Sequence, residues 1–241
     1  MGILDNLVAH WKLNEASGTR VDAHTIGPYG LADNNTVTQA TGKIGNAAQF
    51  TAANSEWLTH GLTADLGLGL DTDFTLAIWV YLDSKPANKM YIVFNHAANP
   101  DADALYDIRW DNGTDRFEFI VGDGTSIGEV EANNLGAPST ATWYFIVAWH
   151  DKTADTLKIQ VNDGTVDSLS WTNGTRNANG TLDLGRDGWS GDQYFNGRLD
   201  SASFWKRVLT STERTDLYNG GAGLDYPFVT AAPFAQAIFI G

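Results

Sequence analysis

The amino-acid sequence predicts an all-β sandwich of two antiparallel sheets with one short helix near the C-terminus. Three observations carry this. Strand-length runs rich in β-branched and aromatic residues recur along the chain: FTLAIWVYL, MYIVFNH, LYDIRW, RFEFIVG, WYFIVAWH and TLKIQV. Turn pairs punctuate them at Asn112-Gly113, Asp123-Gly124, Asp163-Gly164, Asn173-Gly174 and Asn179-Gly180, each a hairpin signal because these residues tolerate positive φ. A helical period appears only after Thr210. At 241 residues the chain is long enough for one large sandwich with a core of its own.

Taken in order, the chain opens with LVAHWKLNEASG (Leu7 to Gly18), a strand running into a turn, and continues through GKIGNAAQFTAANSEWLT (Gly42 to Thr59). The run FTLAIWVYLD (Phe74 to Asp83) and those after it are apolar enough to place Trp79, Trp143 and Trp149 in the core rather than on a ligand platform. The closing segment GRLDSASFWKRVLTSTERTDLYNGG (Gly197 to Gly221) changes period halfway. Leu199, Ala202 and Phe204 alternate with Arg198, Asp200 and Lys206, as in a strand. Thr210 and Glu213 then stand at capping-box spacing, Leu209 at the staple position, Leu217 and Tyr218 toward a core, and Gly220 with Gly221 at the stop.

The two ends together resemble the laminin G-like, concanavalin A-like family of jelly-roll domains. The opening pattern "W-x-L-[DN]-E-x-S-G" is met by Trp11, Leu13, Glu15, Ser17 and Gly18. The closing pattern "G-x-[IL]-D-x-x-x-[FIV]-[WY]-x-R-x-L-[ST]" is met by Gly197, Leu199, Asp200, Phe204, Trp205, Arg207 and Leu209. Gly42 to Thr59 and Phe74 to Asp83 resemble two further family strands, so the likeness covers residues 5 to 226. It implies that the first and last strands pair. The expected organisation is a sandwich over residues 1–228 and an apolar C-terminal tail over 229–241.

Composition excludes several chemistries. With no Cys there is neither a disulfide nor a thiolate nucleophile or metal ligand. A net charge of −14 with 15 Lys and Arg argues against nucleic acid as a partner. No apolar run reaches membrane-span length, and the N-terminus lacks the basic-then-apolar pattern of a secretory signal. The expectation is a chain used without secretion, or a trimmed piece of a longer one.

The glucanases that share this fold use two carboxylates across a cleft, in an E-x-D-x-x-E pattern on one strand. That pattern does not occur here. Glu129 and Glu131 in GEVEANN come nearest, lack a third acid, and read as an exposed edge. There is no G-x-S-x-G, and no two His stand at metal spacing; His10 and His150 read as structural or surface residues. A non-catalytic protein is expected.

In family members that bind calcium, the ion clasps the loop after the first strand to the closing strand. Carried over, this implies a structural Ca2+ held by Asp22, Asp33, Asn35 and Asp200. The loop departs from the family's "D-x-S-G-N-x-x-D-G", and Asx-turn hydrogen bonds alone are the other reading. The lectin-like resemblance also implies carbohydrate binding, through a loop aromatic that stacks on a sugar ring with polar groups beside it. Trp189 with Asp187, Asp192 and Gln193 in RDGWSGDQYF is the first candidate; Trp171 and Trp110 follow, each with a second reading as a strand-end plug.

The tail VTAAPFAQAIFIG is apolar and uncharged, so Phe234, Ile238, Phe239 and Ile240 call for burial, either as a strand folded back or docked on another subunit. Cys-free domains of this kind also resemble parts of phage virions, namely tail fibres and capsid decoration proteins. The resemblance therefore implies a recognition or assembly module on a virion or extracellular surface, with protein subunits and surface glycan as partners. The alternative is a carbohydrate-binding module of a secreted or cell-surface protein. Four N-x-T triplets begin at Asn34, Asn112, Asn173 and Asn179, three of them within Asn-Gly pairs, so coincidence is preferred to glycosylation.

Overall fold

The structure is a computed structural model that describes residues 2–24, 28–96, 104–188 and 193–229. Fifteen strands are formed among these residues: β1 (Leu7–Trp11), β2 (Ala32–Asn34), β3 (Thr38–Thr41), β4 (Asn46–Phe50), β5 (Trp57–Leu68), β6 (Phe74–Leu82), β7 (Met90–His96) and β8 (Ala104–Asp111), followed by β9 (Arg116–Gly122), β10 (Ile127–Glu131), β11 (Trp143–Asp151), β12 (Thr156–Val161), β13 (Asp167–Ser170), β14 (Ala178–Leu184) and β15 (Gly197–Trp205). One α-helix, α1 (Ser211–Tyr218), follows them.

The strands form two antiparallel sheets. One runs β13-β12-β11-β6-β15-β4-β3, with β1 also paired to β15; the other runs β10-β9-β8-β7-β14-β5-β2. The first and last strands pair as the resemblance implied, His10 opposite Ser203 and Trp11 opposite Ala202. A register irregularity between Asp200 and Ser203 divides β15, so that β4 lies along its first residues and β1 along its last.

The space between the sheets is filled by alternate residues of each strand, such as Leu76, Ile78, Val80 and Leu82 of β6 and Tyr144, Ile146 and Ala148 of β11. The intervening residues are apolar too. Ala77, Trp79, Phe145, Val147 and Trp149 form a second cluster on the outer face of the eight-stranded sheet, under Leu209 and Leu217 of the helical segment and Phe228. Trp79 and Trp149 are therefore buried, but outside the inter-sheet core, and Trp143 is half-buried beside them. Covering both faces of these strands is why their sequences show unbroken apolar runs.

The capping box forms as expected: Thr210 Oγ1 accepts from Glu213 N at 3.3 Å and the Glu213 carboxylate accepts from Thr210 N at 2.8 Å. The helix stops at Asn219, in the left-handed region at φ 49°, one residue before the expected glycines. Asn tolerates that conformation and does the work assigned to Gly. Arg207 reaches Glu213 with two nitrogens, at 2.6 and 2.8 Å, and also donates to the carbonyls of Gly2 and Asp5, so it joins the N-terminal segment to the helix.

Four of the five predicted turn pairs lie in turns or loops. Asn179-Gly180 instead lies inside β14. A Cβ at Gly180 would sit 1.8 Å from Asn95 Oδ1 and 2.9 Å from the His96 carbonyl, so the glycine serves close strand approach. His10 and His150 are fully buried, which makes them structural rather than surface residues. The predicted docking residues Phe234, Ile238, Phe239 and Ile240 lie outside the described residues.

Candidate functional site

Alternation along the seven-stranded sheet sorts its residues by chemistry. Tyr106, Ile108 and Trp110 of β8, Phe117, Phe119 and Val121 of β9, and Val130 of β10 face the core. Between them, Asp107, Arg109, Asp111, Glu118, Glu129 and Glu131 fall on the outer face. Register then assembles them. Glu118 lies opposite both Arg109 and Glu131, while Phe94 of β7 lies opposite both Asp107 and Asp183 of β14.

Arg109 is the hub of this face. Its Nε donates to Glu118 at 2.8 Å, its Nη2 to Glu129 at 3.0 Å, and its Nη1 lies 3.5 Å from Asp107 and 3.4 Å from the Tyr91 hydroxyl. Burial would lower the guanidinium pKa, but Asp107, Tyr91 and Glu118 around it raise it above its ordinary value. Burial pushes the Asp107 carboxyl up to about 8 and also raises Glu118, with Arg109 opposing in both cases. Glu118, Glu129 and Glu131 bring ligand atoms within 4.8 Å of one another. The third acid thought absent is thus present, on the neighbouring strand, where a linear pattern cannot show it. Glu129 and Glu131 do lie on an edge strand, β10, but are half-buried there rather than exposed.

The described ends of the β14–β15 connection, residues 185–188 and 193–196, lie at the other end of the same face. They are tied by Phe195 N to Gly185 O at 2.8 Å and Asp187 N to Gln193 O at 3.1 Å, with Arg186 bridged to Tyr194. Phe195 is buried against Phe50, and Gly185, at φ 92°, lies where a Cβ would meet the Phe50 ring at 2.6 Å. Gly188 presses down on the sheet: a Cβ there would lie 2.3 Å from His96 Nε2 and 2.8 Å from Asp183 Oδ2. His96 stacks on Phe94 at 5.0 Å; burial lowers its pKa, with Asp183 opposing.

Arg186 donates to Asp183 at 3.0 Å and lies 4.1 Å over the half-buried Trp57 ring, which stands 6.2 Å from Tyr194. Beside them opens a cleft of about 150 Å³ lined by Ala52, Pro86, Asn88, Lys89, Gln193 and Tyr194. Among the described residues, four buried polar atoms of this region have no hydrogen-bond partner: Trp57 Nε1, Gln193 Oε1, Asp183 Oδ1 and Asp107 Oδ1.

A family model described as the concanavalin A-like lectin/glucanases superfamily matches residues 34–213. The chain belongs to this superfamily. Among solved structures of similar fold is the binding domain of Paraclostridial Mosquitocidal Protein 1, at 15% identity and a TM-score of 0.71, covering 91% of this chain and 53% of that one. A second is domain 4 of AbnA, a GH43 extracellular arabinanase from Geobacillus stearothermophilus, in complex with arabinotriose, at 17% identity and a TM-score of 0.63, covering 88% and 97%. A third is the botulinum neurotoxin serotype D ligand binding domain in complex with N-acetylneuraminic acid, at 12% identity and a TM-score of 0.65, covering 90% and 51%. The chain spans about half the length of the two toxin domains and nearly all of the arabinanase domain. At these identities the likeness is one of fold. No curated protein matches the sequence.

Within this superfamily frame, the predicted sugar-binding residues divide. Gln193 lines the cleft and Asp187 is buried, with charge interactions to Asp107 and His96, while Trp189 and Asp192 lie outside the described residues. Trp171 and Trp110 are strand-end plugs: both are buried, and their Nε1 atoms donate to Gly174 O at 2.6 Å and to Asp115 at 2.9 Å. Trp57, which the sequence reading missed, is the aromatic beside the cleft. Only its position at the start of β5, facing a loop some 130 residues later, singles it out.

Each of the predicted calcium ligands is engaged with the chain around it. Asp22 accepts from His10 N at 3.1 Å and His24 N at 3.0 Å, the latter an Asx turn. Asp33 accepts from Gly18 N at 3.1 Å and Val37 N at 2.8 Å, and Asn35 donates to Ser55 O at 2.7 Å. Asp200 accepts from Lys43 N at 2.7 Å and Ile44 N at 2.8 Å; burial still pushes its carboxyl up to about 7. Each residue pins a backbone segment. Among the described residues Asp22, Asp33 and Asp200 are not grouped as three carboxylates.

Proposed function

We propose that this chain is a non-catalytic glycan-recognition module whose ligand lies on the outer face of the seven-stranded sheet, beside the β14–β15 loop. One observation carries the reading. Polar atoms of Trp57 and Gln193 that lack a hydrogen-bond partner among the described residues stand there with the Trp57 and Tyr194 rings, the mixture of aromatic face and polar groups that sugars require. Similar folds solved with arabinotriose and with N-acetylneuraminic acid support it.

The acids argue for binding rather than hydrolysis. A glycosidase needs two carboxyl groups flanking an open cleft. Here Asp107, whose raised pKa would suit a proton donor, is 1% exposed, and Glu118 and Glu129 are bound to Arg109. A virion or cell surface is the setting in which such a module meets glycan, and the apolar tail beyond Val229 would then attach it to neighbouring subunits. The test is a glycan array probed with the full chain and with Trp57→Ala and Tyr194→Ala. Losing one stacking face should weaken retention about tenfold. Absence of any retained glycan, or variants that bind as the parent does, would refute the reading.

A further inference from the structure

The cleft beside the β14–β15 loop differs in charge from a site built for acidic sugars. Its polar lining from Asn88, Gln193 and Tyr194 is uncharged, and its one cation, Lys89, lies 2.8 Å from Asp111. That carboxylate is itself fixed by the backbone N–H groups of Gly113 at 2.7 Å and Thr114 at 3.0 Å. Two further cations on the face, Arg186 and Arg109, are committed to acids as well. Arg186 is held between Asp183 and the Trp57 ring, and Arg109 among Asp107, Glu118 and Glu129. A ligand carboxylate or sulfate could recruit one of them only by leaving an acid behind, and Asp111 and Asp183 are both buried.

Gln193 Oε1, which lines the cleft and has no hydrogen-bond partner among the described residues, is an acceptor, so it calls for a donor such as a sugar hydroxyl. The chain's net charge of −14 adds long-range repulsion of anions. We infer that the cleft takes one neutral sugar unit and discriminates against sialylated and sulfated glycans, an inference that rests on the glycan-recognition reading above. A volume of about 150 Å³ suits a single ring, with Tyr194 as its apolar wall and Asn88 and Gln193 reading hydroxyls.

The test compares matched pairs on an array and by titration with the full chain: each neutral oligosaccharide beside its sialylated or sulfated counterpart, at low and physiological salt. Neutral members should bind at least tenfold more tightly, and Asn88→Ala and Gln193→Ala should weaken them together. The gap should narrow as salt rises, because part of it is repulsion. Tighter binding of the anionic members, or neutral binding untouched by both substitutions, would overturn the inference and leave glycan recognition standing. Retention of no member at all would instead remove the underlying reading and this inference with it.

Discussion

Truncation of Glu213 to Ala should be among the most damaging single changes outside the inter-sheet core. The side chain does two jobs. It completes the capping box with Thr210, whose loss costs about 1 kcal/mol. It also neutralises Arg207, with the two side chains only 10% and 9% exposed. Removing one partner of such a pair costs about 3–5 kcal/mol, and Arg207 keeps the carbonyls of Gly2 and Asp5, so the lower end applies. The sum is about 4 kcal/mol, or ~12 °C in Tm for a chain of this size. Glu213→Gln, which keeps one acceptor oxygen, should cost about half as much. Urea and thermal unfolding followed by circular dichroism measure both. The pH dependence supplies a second check. Burial raises the Glu213 pKa, but Arg207 and Thr210 outweigh it and the net shift is downward. The stabilisation is therefore complete above the ordinary carboxyl value and disappears as pH falls through the lower folded one. A Glu213→Ala loss below about 1 kcal/mol, the cost of a cap alone, would refute the buried-pair argument.

Three further outcomes follow from the packing. Burial, then Lys12, holds the His10 imidazole down to about 3, with Asp225 opposing, so the unfolded chain binds a proton near pH 6.5 that the fold refuses. His10 should therefore remove about 1.4 kcal/mol of stability per pH unit between 6.5 and 4, and parent-minus-His10→Gln difference profiles should show that slope; parallel profiles would contradict it. The difference matters because Asp107 and Asp200, raised to about 8 and about 7, act in the opposite sense over part of this range. Gly197→Ala would place a Cβ 2.0 Å from the Tyr81 carbonyl of the paired strand and should cost about 3 kcal/mol by chemical denaturation, with an unchanged midpoint as the contrary result. Leu217→Ala, buried beneath the helix, should cost about 2–4 kcal/mol in the same assay, and a loss under 1 kcal/mol would mean that the second cluster is not packed as described.

What could be read from the chain alone was whatever is encoded over a few neighbouring residues. The capping box of Thr210 and Glu213, the alternation through Leu199, Ala202 and Phe204, and the turns at Asn112-Gly113 and Asp123-Gly124 each depend on contacts or dihedrals inside one short window. The pairing of the first and last strands was also legible, because the motifs at Trp11 and Gly197 resemble a known family. Tertiary structure decided the rest, and the physical reason is register. Glu118 becomes the third acid only because β9 aligns it with Glu131, and Trp57 meets Arg186 only where β5 passes beneath a distant loop. Gly180 looked like half of a turn until the neighbouring Asn95 showed that a strand needed the space. Asp22 and Asp200 are oxygen donors by composition, yet each is occupied by backbone N–H groups contributed by other segments. Local chemistry determined which elements form; which side chains share a face was settled by strands brought together from across the chain.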